Sequence, residues 1–250
     1  MKKLISIATA AAMVCLSLAG CQKTDSGSSL TPVTLNEVAH SIFYAPQYAA
    51  IELGYFKDEG IDLTLVNGAG ADKVMTALVS GDADIGFMGS EASIYTYMNG
   101  AEDYAVNFAQ LTQRAGNFLV GRQPEENFQW SSLAGKKVLG GRAGGMPQMV
   151  FEYILKKNGL DPKTDLTIDQ SINFGLTAAA FTSNDADYTV EFEPFATGLE
   201  VEGSGYVVAS LGEESGYVPY TAYSAKKSYM EKNPELIQKF TNAIQMGLNK

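Results

Sequence analysis

The sequence has little of the chemistry that catalysis or nucleic-acid binding needs. It holds one histidine and two cysteines among 250 residues, and 18 basic side chains stand against 28 acidic ones. Nucleic-acid affinity depends largely on clustered Lys and Arg, so scattered cations and a net charge of −10 argue against a nucleic-acid partner. His40 alone could centre a Ser-His-Asp triad, and a histidine-rich metal site is excluded. The composition therefore disfavours an enzyme, and we expect no catalytic residue, no metal and no cofactor.

A short apolar run opens the chain. It extends from Leu4 to Leu18 behind two lysines, and a polar linker follows Cys21. The run is shorter than the about 20 residues of a transmembrane helix and ends in small residues, as secretory signal peptides do. The segment Leu18-Ala19-Gly20-Cys21 resembles the bacterial lipobox, which implies cleavage before Cys21 and its lipidation. We predict a signal peptide over residues 1–20, a tether over residues 21–32, and anchoring to the outer face of the cell membrane.

Processing of this kind leaves no free thiol. Cys15 is removed with the signal peptide and Cys21 carries lipid, so neither can form a disulfide, act as a nucleophile or bind zinc.

The body of the chain contains one α/β unit twice. Residues 61–66 alternate as a strand does, a glycine turn follows, and residues 74–78 have helical spacing. About a hundred residues later, residues 182–196 align with residues 79–93, which places Asp82-Ala83-Asp84 on Asp185-Ala186-Asp187. A duplicated strand–helix unit predicts two similar α/β lobes with parallel strands. The Asp-x-Asp pairs lie at helix-to-strand turns, where turn chemistry explains them better than metal binding.

The lobe boundary is expected near a polar connector. Residues 117–121 are predicted to form a strand, residues 122–127 a connector, and residues 206–221 the return. We assign residues 33–120 and 217–250 to lobe 1 and residues 121–216 to lobe 2. Two crossings between the lobes would form a hinge.

A glycine-rich loop from Gly140 to Gly145 follows a strand and opens a helix. It lacks the Gly-Lys-Ser/Thr of a P-loop and the Gly-x-Gly-x-x-Gly spacing of a dinucleotide fingerprint. We therefore interpret it as a loop whose backbone approaches a small ligand. Arg142 in this loop either pairs with a sulfonate or carboxylate, or is a solvated loop residue.

Several motifs together resemble one known family. In chain order they are Phe43-Tyr44-Ala45-Pro46-Gln47-Tyr48, Gly54 to Ile61, Ser80 to Gly86, Leu133 to Val138, Glu193-Pro194, and Asn233 to Phe240. From Thr34 onward the chain is similar to ABC-importer solute-binding proteins of the nitrate, sulfonate, taurine and thiamine-pyrimidine group. The resemblance implies a periplasmic-binding-protein type 2 fold, in which two similar α/β lobes and a two-crossing hinge enclose a ligand cleft. It also implies a monomer that delivers a small-molecule solute to an ABC permease and its ATPase.

Ligands of open α/β sheets lie beyond the carboxyl ends of strands, where helix N-termini present N–H groups. Five helix starts are predicted at residues 41–45, 68–71, 89–90, 143–146 and 193–194. They and the residues just before them supply the candidate ligand-binding residues: His40, Ser41, Phe43, Tyr44, Gly70, Gly89, Ser90, Arg142, Gly144, Gly145, Met146, Phe192 and Glu193. Ser90 serves equally well as an N-cap, His40 as a structural histidine, and buried aromatic residues belong to the core more often than to a site.

Glu193 is expected to accept hydrogen bonds from an amine-bearing ligand. Glu191 lies two residues earlier on the same strand face, so a paired-carboxylate hydrolase is a competing interpretation that nothing else in the sequence supports. Glu193, the aromatic residues and the acidic balance favour an aminopyrimidine of the thiamine-precursor type. The alternative ligand is an oxyanion such as a sulfonate, taurine or nitrate, held by Arg142 and helix N-termini.

An enzyme remains the rival class, because pyrimidine synthases that consume their own histidine share the implied fold. Their cysteine-rich iron-binding motif is absent from this sequence, and an export signal fits them poorly.

The last predicted helix, Pro234 to Lys250, carries an apolar stripe and lacks a clear cap. Members of the resembled family generally continue with further helices. We therefore expect a C-terminally incomplete chain with an apolar surface exposed near its end.

Overall fold

The computed structural model describes residues 30–141, 143–173 and 175–250. The predicted signal peptide, the lipidation site Cys21, most of the tether and Arg142 lie outside the described residues.

The first lobe is built on a five-stranded sheet. Its strands are β1 (Thr31–Glu37), β2 (Ile61–Asn67), β3 (Ile85–Gly89), β4 (Ala105–Thr112) and β10 (Thr221–Lys226). They lie in the order β2-β1-β3-β10-β4. Strand β1 is parallel to both of its neighbours, whereas β10 is antiparallel to β3 and β4.

The second lobe repeats this arrangement. Its strands are β5 (Asn117–Gly121), β6 (Lys137–Leu139), β7 (Thr167–Asp169), β8 (Tyr188–Phe192) and β9 (Tyr206–Ser210). They lie in the order β7-β6-β8-β5-β9, with β5 antiparallel to β8 and β9. The two sheets therefore match position by position, and the two-lobed fold predicted from the duplicated unit is confirmed.

Ten α-helices lie within the described residues: α1 (Ala45–Glu52), α2 (Tyr55–Asp58), α3 (Ala71–Ser80), α4 (Glu91–Met98), α5 (Met146–Lys157), α6 (Thr177–Ser183), α7 (Phe195–Val201), α8 (Leu211–Ser215), α9 (Lys227–Lys232) and α10 (Pro234–Leu248). Two 3₁₀ turns, Ile42–Tyr44 and Trp130–Leu133, complete the set. Helices α1, α3, α4, α5 and α7 begin where the sequence predicted helix starts. In the described part of the chain, no helix combines the length and apolar character needed to cross a bilayer.

The repeated Asp-x-Asp turns make the same pair of hydrogen bonds in both lobes. Asp84 accepts from the backbone N–H of Thr34 at 2.8 Å, and its own N–H donates to the Thr34 carbonyl at 3.0 Å. Asp187 accepts from the N–H of Lys137 at 2.9 Å and donates back to that residue's carbonyl at 2.8 Å. Each pair joins the residue before one strand, β3 or β8, to the parallel neighbouring strand, β1 or β6, so turn chemistry accounts for the repeat.

The chain crosses between the lobes at residues 113–116 and returns through residues 211–220. The predicted boundary after residue 120 therefore falls inside β5. All of β5, from Asn117 onward, pairs with β8 and belongs to the second sheet. The two crossing segments are hydrogen-bonded to each other. The N–H of Val218 donates to Gln113 at 3.0 Å, and the N–H of Tyr220 donates to Thr112 at 3.1 Å. These bonds hold the two crossings together as one hinge.

Each lobe has its own apolar core, and α10 belongs to that of the first lobe. Phe240 and Ala243 are fully buried and Ile244 is 2% exposed. The expectation of an exposed apolar surface near the C-terminus is thus wrong for this face of α10. The face packs inward, and Gly247 lies close to the backbone of Pro46.

Candidate functional site

A cleft lies between the lobes, with about 920 Å³ of empty space when its open mouth is included. Its walls come from the carboxyl ends of β3 and β8, the starts of α4, α5 and α6, and the return crossing. Six of the predicted residues line it: Tyr44, Gly70, Gly89, Gly145, Met146 and Phe192. Parallel strands and the helices that follow them bring these separate segments to one place.

Six other predicted residues are described but do not line the cleft: His40, Ser41, Phe43, Ser90, Gly144 and Glu193. Two of them make hydrogen bonds outside the cleft lining. The hydroxyl of Ser90 donates to the carbonyl of Pro219 at 2.6 Å, which ties α4 to the return crossing. The N–H of Gly144 donates to the side-chain oxygen of Gln148 at 2.5 Å.

Glu193 caps the helix that follows it. Its carboxylate accepts from the N–H of Thr197 at 3.1 Å and from the hydroxyl of the same residue at 2.9 Å. This is the local hydrogen bonding expected of an acidic residue at a helix start. The carboxylate of this strand that faces the cleft is Glu191.

His40 belongs to a buried hydrogen-bond network behind the cleft. Its Nδ1 lies 2.9 Å from Oε1 of Glu37, which is 1% exposed, while the His40 side chain itself is 67% exposed. Gln47 and Tyr48 donate to Oε2 of Glu37 at 2.8 and 2.9 Å. The lone histidine thus hydrogen-bonds to a buried carboxyl group in the first lobe.

Phe43 packs across the hinge. Its ring centroid lies 5.9 Å from those of Phe192 in the second lobe and Tyr220 in the return crossing. Ser41 fixes the turn that presents this ring, because its hydroxyl accepts from the N–H of Phe43 at 3.3 Å. Both residues therefore shape the hinge end of the cleft from outside it.

Glu191 is the first cleft residue that sequence reasoning set aside. It is 2% exposed, and its carboxylate accepts from the hydroxyls of Thr177 at 3.0 Å and Thr189 at 2.6 Å. Burial raises its pKa to about 7, and the two hydroxyls oppose that rise by stabilising the ionised form. The signal was present in the sequence as one carboxylate inside the otherwise uncharged strand Tyr188–Phe192.

Glu91 is the second buried carboxylate of the cleft, and the sequence analysis did not identify it as a site residue. It opens α4 in the first lobe, is 2% exposed, and lines the cleft. Burial raises the pKa of Glu91 to about 7. Its own N–H and the N–H of Met146, in the second lobe, act in the opposite direction. Its Oε2 is buried without a hydrogen-bond partner among the described residues.

The electrostatic character of the cleft follows from these two side chains. Glu91 and Glu191 come from opposite lobes, and among the described lining residues there is no Lys, Arg or His. Burial also raises the pKa of Tyr44 to about 12 and that of Tyr220 well above its usual range, so both phenols stay neutral hydrogen-bonding groups. Within the part of the chain that is described, no group of three His, Cys, Asp or Glu side chains is placed to hold a metal ion.

Sequence comparison identifies relatives of this chain. YtlA of Bacillus subtilis (strain 168), which carries the provisional name of a binding protein, is 50% identical over 227 residues, covering 91% of this chain and 67% of YtlA. The 4-amino-5-hydroxymethyl-2-methylpyrimidine phosphate synthase THI5 of Saccharomyces cerevisiae is 26% identical, over 81% of this chain and 61% of the yeast protein. The chain thus spans about two thirds or less of these relatives.

Solved structures share the fold. The aliphatic sulphonate binding protein SsuA of Escherichia coli matches with a TM-score of 0.71 and 18% identity, over 88% of this chain and 73% of SsuA. The nitrate-binding protein NrtA of Synechocystis PCC 6803 matches with a TM-score of 0.70 and 18% identity, over 87% of this chain and 61% of NrtA. The periplasmic-binding-protein fold is therefore confirmed. Since the family model described as NMT1/THI5 like matches residues 42–250, this chain belongs to the NMT1/THI5-like family.

Proposed function

We propose that the protein is a solute-binding protein whose lobes close on a small ligand rich in N–H donors, and that an aminopyrimidine is the ligand class that fits best. The observation that carries the proposal is the presence of two buried carboxylates, Glu91 and Glu191, on opposite walls of the cleft. A buried carboxylate is costly unless a donor or cation meets it, so a ligand with N–H groups would stabilise both.

The remaining cleft surface suits a flat ring. Phe192 and Phe195 line it on the second lobe, and Tyr44 and Tyr220 line it near the hinge. Aromatic side chains contact a heteroaromatic ring through stacked or edge-to-face packing, and the two neutral phenols add hydrogen-bonding groups. An aminopyrimidine combines such a ring with the N–H donors that the carboxylates require.

Delivery to an ABC permease and its ATPase is the transport step of this proposal. Its support is the family membership, the binding-protein name of YtlA and the fold shared with SsuA and NrtA. The lipobox-like Leu18-Ala19-Gly20-Cys21 supports an extracytoplasmic, lipid-anchored protein. Hinge closure about the two crossing segments would capture the solute before delivery.

A sulfonate, taurine or nitrate ligand is the alternative, supported by the ligands named for SsuA and NrtA. Such an oxyanion would meet two carboxylates and no cation among the described lining residues. The enzyme alternative is supported by the name of the yeast synthase. His40, the only histidine, lies outside the cleft lining and is hydrogen-bonded to Glu37.

Titration calorimetry at pH 8 would test the proposal with 4-amino-5-hydroxymethyl-2-methylpyrimidine on one side and taurine, methanesulfonate and nitrate on the other. We expect the aminopyrimidine to bind and Glu191→Gln to weaken it about tenfold or more, because a charge-assisted hydrogen bond is lost. Glu193→Gln is the matched control, two residues away and outside the cleft, and should bind as the wild type does. Tight sulfonate binding that persists in Glu191→Gln would contradict the proposal. Turnover of a pyrimidine precursor that His40→Ala abolishes would support the enzyme instead.

A further inference from the structure

The N-terminus of α5 lies at the cleft, and the backbone N–H of Met146 has no partner within the helix. Gly145 is the N-cap residue and has no side chain to cap the helix, Pro147 carries no N–H, and both Gly145 and Met146 line the cleft. The first N–H groups of a helix lack partners within the helix and carry a partial positive charge, so they attract anions. This 12-residue helix supplies the kind of position at which sulfates, phosphates and carboxylates bind.

An anion from the same chain already lies there. The carboxylate of Glu91, in the first lobe, is near enough to the backbone N–H of Met146, in the second, for that N–H to act against the rise of its pKa. The side chain folds back over Gly89, where a Cβ would overlap the carboxyl group. The lack of a side chain at Gly89 therefore makes room for the Glu91 carboxyl group.

The groups around this carboxylate leave part of it unused. The phenols of Tyr44 and Tyr220 are near enough for its charge to raise their pKa values, and Thr221 acts against that rise at Tyr44. No Lys, Arg or His among the described lining residues faces it. Oε2 of Glu91 and the hydroxyl of Tyr220 are both buried without partners in the described part of the chain. The carboxylate thus lies beside the positive end of α5, and its Oε2 stays available to a ligand.

We propose that Glu91 is a specificity-determining residue that occupies the N-terminus of α5 as an intramolecular anion and thereby excludes oxyanion ligands from the cleft. This inference rests on the proposed solute-binding function and adds a reason for its selectivity. An entering sulfonate or nitrate must displace Glu91 from the Met146 N–H or lie beside it, and both options bring like charges together in a buried site. A ligand N–H group meets Oε2 instead and needs no displacement.

The test is a gain of binding. Methanesulfonate and nitrate are titrated into wild type, Glu91→Gln and Glu91→Ala at pH 8, with thermal unfolding as the check on folding. Gln keeps the shape and removes the charge, and Ala also frees the Met146 N–H. We expect methanesulfonate affinity to rise by about tenfold or more in both variants, because a like charge is removed from a buried site. Glu193→Gln is the matched control, since it removes a carboxylate that lies outside the cleft lining and is hydrogen-bonded to Thr197, and its affinity should change less than about threefold.

A second measurement uses the unaltered protein. Since the Glu91 pKa lies at about 7, wild-type affinity for methanesulfonate should rise between pH 8.5 and pH 5.5, and it should rise less in Glu91→Gln. Folded Glu91 variants that bind methanesulfonate no better than Glu193→Gln would overturn the inference. If wild type binds no aminopyrimidine, the proposed function fails, while the oxyanion gain still tests Glu91 separately.

Discussion

Oε2 of Glu191 accepts a hydrogen bond of 3.0 Å from the hydroxyl of Thr177, and both side chains are buried. Thr177 is the first residue of α6, and Glu191 lies in β8 at the centre of the second sheet. The bond therefore fixes a strand carboxylate against the helix beside it, where both residues line the cleft. The orientation of the proposed ligand acceptor depends on this contact.

Thr177→Val is predicted to weaken aminopyrimidine binding at pH 7 by about three- to tenfold. Loss of the hydroxyl removes a donor that favours the ionised form, so the Glu191 pKa rises further and less carboxylate is available. Calorimetry should show the loss shrinking at pH 9, where the group ionises again. Thr182→Val is the control, because this exposed residue of α6 bonds only locally to Ala179. Equal losses in both variants would contradict the assignment.

The stability of the free protein should fall as pH rises from 5 to 8. The folded-state pKa values of Glu91 and Glu191, about 7, lie above the ordinary glutamate value of 4.5, so the folded chain holds protons that the unfolded chain releases. Their contribution is complete below about pH 4.5 and is lost as pH rises through about 7, by up to about 3 kcal/mol for each group. Urea unfolding at several pH values should show a smaller decline in Glu191→Gln, and the smallest in the variant that also carries Glu91→Gln. Parallel pH curves for wild type and the double variant would refute this account.

Two glycines should respond to alanine in opposite directions. A Cβ on Gly116, in the first crossing, would overlap the Phe43 ring, whereas one on Gly198, in α7, meets no atom within 4 Å. We expect Gly116→Ala to lower the free energy of unfolding by about 1–3 kcal/mol through overpacking. Gly198→Ala should raise it by about 0.5–1 kcal/mol, because Ala is the better helix former. Chemical denaturation measures both, and a stabilising Gly116→Ala would show that Phe43 does not pack on the hinge.

Glu193→Ala is predicted to reduce stability without affecting ligand affinity. It removes the hydrogen bonds to Thr197, and the loss of such a cap typically costs about 0.5–1 kcal/mol. Thermal unfolding and calorimetry on the same sample separate the two effects. A drop in affinity beyond that caused by Glu191→Gln would return Glu193 to the ligand site.

The duplicated unit shows how far sequence reasoning reached. The strand–turn–helix spacing and the repeated Asp-x-Asp turns predicted two similar lobes, and the structure has matching strand orders and matching hydrogen bonds at Asp84 and Asp187. These features could be predicted because they depend on neighbours in the chain: periodicity, turn chemistry and helix caps act over a few residues.

The ligand site was harder to predict, because its residues come together only after folding. Sequence position favoured Glu193 at the helix start, yet local hydrogen bonds to Thr197 occupy it. Glu91 resembled any acidic residue of a first helical turn until the second lobe brought Met146 against it. The lobe boundary was similarly misplaced, since pairing between β5 and β8 depends on residues about 70 positions apart.

The sequence by itself determined the family, the two α/β lobes and the helix starts that surround the cleft. Only the tertiary structure decided which carboxylates face the ligand, because burial depends on what the opposite lobe places there. Glu91 and Glu191 became the acidic groups of the cleft when packing excluded water from them, and that exclusion raises their pKa values to about 7.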